Sequence, residues 1–421
     1  MINQDNTSES VKTIQKKLLG KRLTYHEISA LMDEIGHRRL GDVLTTYFVA
    51  ASFKEGFSHE ELYLFTKAMV ETGNRLRFKG IVADKHSTGG VSGTRTTLIV
   101  VPIIAAAGFK IPKISSRAIT TPAGTADVME TIANVNFKIE DIEDIVNKTG
   151  GCISWNGKLG IAPADDVIIR VEEPLSFESF DKIIVSIMAK KIAASTTHLM
   201  LDIPVGKTMK IRHEADAQKI LKKFQQLGGK FGMKVEGIIT KTHEPAGNGV
   251  GPALEIADVL KVLEQTEDRP LALEKRALEL AGGLLSLCYK DARSDKDGKK
   301  EALALLQSGA ALSKFKEIVK AQGGSSALSS KTFKINAKKY LINSTRSGTI
   351  KEINNFNLNS IAKMLGAPKD KFAGVYLYKK IGDKVQLNEP LLAFYSNSPY
   401  LIEEAEHSLK SFPIHKFSEP L

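Results

Sequence analysis

Apolar residues recur at helical spacing through the first 78 residues. Thr24 with Glu27, and Ser58 with Glu61, form two capping boxes, each followed by apolar positions three or four apart. Those positions are Ile28, Leu31, Met32 and Ile35, and Leu62, Phe65, Ala68 and Met69. The pattern predicts a small helical unit. Residues 1–10 are polar, and we expect them to be disordered.

From Ile81 onward, short apolar runs alternate with helical patterns, which is typical of a parallel α/β sheet. Ile81–Ala83 predicts a buried strand, with Asp84–Ser87 as the loop after it. Further strands are predicted at 111–114, 152–155, 199–205 and 234–240, and a helix at 180–195. After about residue 330, β-like runs dominate, at 332–335, 340–342, 348–350, 374–378 and 390–395.

Composition narrows the class of protein. A chain of 421 residues with 42% hydrophobic and 25% charged residues predicts two or three globular domains. The net charge of +11 suits an anionic partner, and without basic runs interleaved with aromatics we expect no nucleic acid. Cys152 and Cys288 are predicted to be buried thiols, and no Cys/His cluster predicts a metal. With no apolar run of membrane length and no secretory leader, we expect a cytoplasmic protein and no membrane contact.

Residues 84–131 carry the candidate chemistry. Gly89, Gly90 and Gly93 lie among hydroxyls before one predicted helix, and the small-residue turn 120–125 opens another. Helix starts attract anions because their N–H groups are unpaired, glycines allow close approach, and Lys85 adds a charge. The pattern lacks the dinucleotide and P-loop fingerprints. Two such turns on neighbouring parallel strands predict a phosphate site in one crevice.

The motifs DKHSTGG, SSRA and AGTADVMET resemble the thymidine and pyrimidine-nucleoside phosphorylase family. They are most similar to the branch that holds AMP phosphorylases and bacterial proteins named as thymidine phosphorylases. GTADV is also similar to anthranilate phosphoribosyltransferases. The resemblance implies an α/β fold with a discontinuous small helical domain, a large α/β domain with a mixed or parallel sheet, and a C-terminal α+β domain similar to a barrel sandwich. The expected boundaries are 1–78 and 166–197 for the helical domain, 79–165 and 198–330 for the α/β domain, and 331–421 for the last.

The family pattern also implies the site residues. Phosphate would be held by Lys85, Ser87, Gly90, Thr97, Ser115 and Thr125. The remaining substrate would contact Ser116, Arg117, Thr121, Arg170, Ser186, Lys190 and Lys210. Lys85 and His86 are expected to be catalytic, since a histidine with a pKa near neutrality could give a proton to the base. Glu178 matches an aspartate proposed as proton donor in the AMP branch.

The resemblance implies reversible phosphorolysis of a pyrimidine nucleoside or deoxynucleoside by a homodimer, with inorganic phosphate as co-substrate and no cofactor. Thr121 stands where the thymidine branch has a histidine, so an AMP or other nucleoside-monophosphate phosphorylase remains an alternative. A phosphoribosyltransferase is a second alternative, although only Asp127 and Glu130 could hold its Mg²⁺ in this stretch. A basic binding protein that kept the fold is the third.

Overall fold

The computed structural model describes residues 4–118, 121–172 and 180–418. Its helices are α1 (Gln4–Leu18), α2 (Tyr25–Gly36), α3 (Asp42–Glu55), α4 (His59–Glu71), α5 (Thr97–Ala106), α6 (Thr125–Met129), α7 (Ile139–Thr149), α8 (Pro163–Glu172), α9 (Phe180–Ala193), α10 (Glu214–Lys230), α11 (Pro252–Leu263), α12 (Leu271–Asp291), α13 (Gly298–Gln307), α14 (Ala310–Ala321), α15 (Asn355–Met364) and α16 (Pro399–Ser411). Its strands are β1 (Ala83–Ser87), β2 (Ile111–Ser115), β3 (Gly151–Trp155), β4 (His198–Val205), β5 (Lys234–Lys241), β6 (Gly249–Val250), β7 (Lys339–Asn343), β8 (Gly348–Ile353), β9 (Gly374–Leu377), β10 (Lys384–Val385), β11 (Pro390–Tyr395) and β12 (His415–Phe417).

Helices α1 to α4 form a bundle, and α8 and α9 pack against it. Both predicted capping boxes are present: Thr24 and Ser58 each accept the N3 amide, and Glu27 and Glu61 accept the cap amide in return. The expectation of disorder over residues 1–10 is wrong for residues 4–10, because α1 begins at Gln4, and residues 1–3 lie outside the described residues. Tertiary packing outweighs the polar composition of this helix, since Ile14 joins the bundle core and Lys17 pairs with buried Glu61 at 2.9 Å.

The α/β domain is built on parallel strands in the order β3-β2-β1-β4-β5. β2 pairs with β3, and β4 pairs with both β1 and β5. The parallel bridge between Val82 and Lys110 joins the two groups. All eight residues of β4 are buried, as expected for a central parallel strand covered on both faces. The strand order brings the carboxyl ends of β1 and β2 side by side.

The C-terminal domain contains two antiparallel sheets, with strand orders β6-β9-β11-β7 and β10-β8-β12, and the helices α15 and α16. β6 precedes α11 in the chain, so the first sheet extends across the boundary with the α/β domain. The strand predicted at 332–335 is wrong, because this segment holds turn and irregular backbone. Across the part of the chain that is described, none of the helices is long and apolar enough to cross a membrane.

Candidate active site

The first loop, residues 88–96, connects β1 to α5 at the carboxyl edge of the sheet. Gly89, Gly90 and Gly93 have φ values of 84°, 91° and 57°, a region that favours glycine. A Cβ atom on Gly90 would lie 3.4 Å from Lys210 Cγ, so this loop and the one after β4 are in contact. Ser87 ends β1, and its hydroxyl accepts from the Gly89 amide at 3.3 Å. The loop therefore brings Ser87, Gly90 and Lys210 together.

Lys85 lies within β1, so the prediction of a loop from Asp84 to Ser87 is wrong. Its buried ammonium lies 3.2 Å from Asp202 Oδ2 and donates to Thr96 Oγ1 at 3.0 Å. Burial lowers the pKa of Lys85 below its usual value, although Asp202 favours the charged form. The hydroxyl beside Lys85 is that of Thr96, while Thr97 is the buried first residue of α5.

The second loop, residues 116–124, lies between β2 and α6. Ser115 is the last residue of β2, and Ser116 after it is exposed. Thr121 donates its hydroxyl to Ala123 O at 2.9 Å, and Thr125 is the buried first residue of α6. Asp127 Oδ2 accepts the amides of Ala118 at 2.6 Å and Gly124 at 3.0 Å, which fixes the described ends of this loop.

Arg95 joins the two loops, and the sequence analysis did not single it out. Its Nη1 donates to Thr125 Oγ1 at 3.3 Å and its Nη2 to Ala123 O at 2.7 Å. Its Nε donates to Glu255 at 2.7 Å, and that carboxylate is almost fully buried. The only sequence signal was an arginine inside a loop of glycines and hydroxyls. The guanidinium orients the Thr125 hydroxyl toward the first loop and adds a second cation near Lys85.

His86 lies half-buried in a cluster of cations. On the same face of β1, Asp84 is fully buried and pairs with Lys113 at 3.3 Å and with Lys191 at 2.6 Å. Burial, and then the ammoniums of Lys191, Lys113 and Lys85, hold the pKa of His86 well below its usual value. These surroundings favour the neutral imidazole at pH 7, in contrast to the pKa near neutrality that the sequence led us to expect.

Ser186 and Lys190 share one face of α9, and both meet Asp165 of α8. Asp165 Oδ2 accepts from Ser186 Oγ at 2.8 Å and lies 2.6 Å from Lys190 Nζ. Burial opposes the charge on Lys190, but Asp165 outweighs it and raises the pKa of the lysine. The other oxygen of Asp165 is buried and accepts no hydrogen bond within the described part of the chain. Asp165 is thus the carboxylate that organises this pair.

Two predicted arginines are occupied elsewhere. Arg170 lies on an exposed side of α8, where its guanidinium pairs with Asp42 at 2.7 and 2.9 Å. The structure therefore does not gather Arg170 with Ser186 and Lys190. Arg117 makes two 2.6 Å hydrogen bonds to Glu130 and stacks 4.6 Å from the centre of the Trp155 ring. Glu178 falls outside the described residues.

A cavity of about 660 Å³ opens beside the first loop, at the carboxyl ends of β4 and β5. Its walls come from Ser87, Asp202, the segment 240–246, the first turns of α12 and residues 351–353 of β8. Ser87 and Asp202, which pairs with Lys85, connect the cavity to the candidate phosphate site. The cavity is large enough for a small organic ligand.

Models of known families match most of the chain. The glycosyl transferase family a/b domain matches residues 79–312, and the helical bundle domain of the same family matches residues 11–73. The pyrimidine nucleoside phosphorylase C-terminal domain matches residues 349–413. These matches follow the three parts of the fold.

Curated relatives divide between two names. A protein named "Putative thymidine phosphorylase" from Bradyrhizobium diazoefficiens is 41% identical over 95% of this chain and 76% of its own length. "AMP phosphorylase 1" from Archaeoglobus fulgidus is 40% identical over 94% of this chain and 78% of its own length. The "AMP phosphorylase" of Thermofilum pendens is 42% identical over 95% and 77%.

Two solved structures share the fold. Anthranilate phosphoribosyltransferase from Thermus thermophilus superposes with a TM-score of 0.62 at 18% identity, covering 74% of this chain and 99% of that one. The enzyme from Saccharomyces cerevisiae, in complex with PRPP and Mg, has a TM-score of 0.59 at 12% identity, with 75% and 98% covered.

Proposed function

The chain belongs to the glycosyl transferase family whose members include thymidine and AMP phosphorylases, and we propose that it catalyses the reversible phosphorolysis of a pyrimidine nucleoside or deoxynucleoside. The products are the free base and ribose or deoxyribose 1-phosphate. The observation that supports the proposal is the buried ammonium of Lys85 beside the first of two loops, rich in glycine and hydroxyls, that Arg95 ties together. No cofactor is required, and inorganic phosphate is the co-substrate.

Phosphate binding begins with an exchange of partners at Lys85. In the structure the ammonium lies 3.2 Å from Asp202. A phosphate dianion between the loops takes up this ammonium together with the hydroxyls of Ser87, Ser115 and Thr125. Asp202 keeps its charge because Arg276 of α12 also pairs with it. Lys85 can therefore turn to phosphate without leaving Asp202 alone in the interior.

In the reaction, a phosphate oxygen forms a bond to C1′ while the C1′–N bond to the base breaks and its electrons pass to the base. The sugar gains cationic character in the transition state, and the bound phosphate stabilises that charge. Lys190 and Ser186 lie on the helical side, where a positive charge and a hydroxyl stabilise the negative charge on the leaving base. Neutral His86 donates a hydrogen bond to a base carbonyl oxygen, and the departing base acquires the proton that the attacking hydrogen phosphate gives up.

A nucleoside-monophosphate phosphorylase, which would release ribose 1,5-bisphosphate, is the second candidate. Lys210 lies against Gly90, and the neighbouring cavity is lined by Lys207, Lys275 and Lys351. Lys207 and Lys351 interact with Glu352 of the same cavity, and the three lysines together supply positive charge for an additional phosphate group.

The phosphoribosyltransferase alternative finds less support at the second loop. Lys371 lies 2.8 Å from Asp127 and 2.9 Å from Glu130, and Arg117 also binds Glu130. Lysine and arginine therefore already neutralise both carboxylates that the sequence offered for Mg²⁺.

The test is release of free base from thymidine, uridine, AMP, CMP and UMP, with and without inorganic phosphate. We expect phosphate-dependent release from a nucleoside that a metal chelator does not abolish. Turnover of AMP without turnover of thymidine or uridine would select the second candidate. Absence of phosphate-dependent release from every substrate would refute both.

A further inference from the structure

We propose that the C-terminal domain supplies two positioning residues, Asn355 and Lys371, that hold the two phosphate loops in their binding geometry. The domain contacts the first loop through α15, and through the segment before β9 it contacts Asp127 of α6, which in turn binds the second loop. The inference rests on the proposed function, because it assigns these residues to the same phosphate site.

The side-chain amide of Asn355 binds the backbone of the first loop through both its nitrogen and its oxygen. Its Nδ2 donates to Gly90 O at 2.5 Å, and its Oδ1 accepts from the Ser92 amide at 3.1 Å. Asn359, one turn later on α15, binds the Ser92 hydroxyl. Asn355 is only 1% exposed, so water does not compete for these bonds. The backbone that Asn355 binds includes Gly90, which has a left-handed φ and no side chain to restrain its conformation.

Lys371 acts on the second loop through Asp127. Its Nζ lies 2.8 Å from Asp127 Oδ1, while Asp127 Oδ2 accepts the amides of Ala118 and Gly124. Lys371 itself is anchored to the α/β domain, because its carbonyl accepts the Ala253 amide at 2.9 Å. The Lys371 ammonium therefore fixes the Asp127 carboxylate, and that carboxylate fixes the loop that precedes Thr125.

Backbone and side-chain hydrogen bonds join the C-terminal domain to the α/β domain. β6 and β9 pair across the boundary, and Lys380 Nζ donates to Pro245 O at 2.5 Å and to Gly247 O at 2.7 Å. Groups that orient ligand-binding residues typically change binding or activity by about 10- to 100-fold when removed. Small displacements of a positioned group cost rate because the reacting atoms must meet within narrow limits.

The test compares Asn355→Ala with Asn357→Ala in the full-length protein. Asn357 lies on the same helix but donates to Pro413 O at 2.8 Å, a bond inside the C-terminal domain. We expect Asn355→Ala, and Lys371→Met likewise, to raise the KM for phosphate by about 10-fold or more, with a smaller change in kcat. Asn357→Ala should leave the KM for phosphate near the wild-type value.

Amide hydrogen exchange of residues 88–96 gives a readout that does not depend on turnover. Asn355→Ala should accelerate exchange in this loop, and Asn357→Ala should not. Equal effects of the two variants on exchange and on the KM for phosphate would overturn the positioning role. If the wild type shows no phosphorolysis, the proposed function fails, while hydrogen exchange still decides whether the domain holds the loop.

Discussion

Replacing Lys85 by methionine should separate the binding of phosphate from the stability of the fold. The side chain keeps a similar length, and the ammonium that lies 3.2 Å from Asp202 and 3.0 Å from Thr96 is removed. Breaking a buried ion pair costs about 3–5 kcal/mol when one charge is left alone. Asp202 retains Arg276, so we expect a smaller loss of about 1–3 kcal/mol in the free energy of unfolding.

The effect on catalysis should be larger than the effect on stability. Removing one partner of a buried, hydrogen-bonded charge pair costs about 2–5 kcal/mol of binding, and the middle of that range corresponds to about 10²- to 10³-fold in kcat/KM. We therefore expect kcat/KM for phosphate to fall by about 10²- to 10³-fold in Lys85→Met. The assay is initial-rate release of base at varied phosphate, with urea unfolding measured on the same samples.

Lys113→Met is the matched control. Lys113 is a buried lysine on the adjacent strand β2, and its carboxylate partner Asp84 likewise keeps a second cation, Lys191. The two variants should lose similar stability, but the fall in kcat/KM for phosphate should be much larger in Lys85→Met, because Lys113 reaches the site only through the Lys85 carbonyl and the charge around His86. Equal losses of rate in both, or a Lys85→Met enzyme within about tenfold of wild type, would refute the assignment of this ammonium to phosphate.

Further predictions concern His86, the base-side pair and Arg95. Because the unfolded chain protonates a histidine near pH 6.5 and the folded chain does not protonate His86 there, the free energy of unfolding should fall as pH drops below about 6.5, and His86→Asn should reduce that slope. Bound phosphate should raise the pKa of His86, and an NMR titration unchanged by phosphate would contradict this. Ser186→Ala and Lys190→Ala should alter discrimination between bases in kcat/KM more than the KM for phosphate; the reverse pattern would place them at phosphate. Arg95→Lys keeps the charge but not the planar donors, so the KM for phosphate should rise with loss of the Thr125 contact, and an unchanged KM would show that the contact is dispensable.

Local patterns predicted the features of this fold that depend on neighbouring residues. The capping boxes, the buried parallel strands and the glycine-rich first loop follow from short-range rules, and each has its expected counterpart in the structure. The shared face of Ser186 and Lys190 follows from helical spacing alone. These features could be predicted because each rests on a few consecutive positions.

What the sequence did not indicate depends on contacts between distant residues. The polar run 84–86 resembles a loop, yet it forms part of a strand. Asp202 neutralises the charge of Lys85, and Lys113 and Lys191 neutralise the charge of Asp84. No local pattern gives those partners, which lie about 30 to 120 residues away in the printed sequence.

The same reason applies to the residues that hold the phosphate loops. Asn355 and Lys371 act on loops more than 240 residues earlier in the chain. A related reason applies to Arg170, which the resemblance assigned to the site and which pairs in the structure with Asp42 on the exposed surface of the bundle. Spacing along the chain does not show which carboxylate an arginine meets.

A crystal structure of the protein grown with inorganic phosphate tests the central claim most directly. We expect a phosphate ion between the loops, with oxygens about 3 Å from Lys85 Nζ and Thr125 Oγ1, and a lengthened contact from Lys85 to Asp202. Loops that stay empty at saturating phosphate, with Lys85 still against Asp202, would contradict the account.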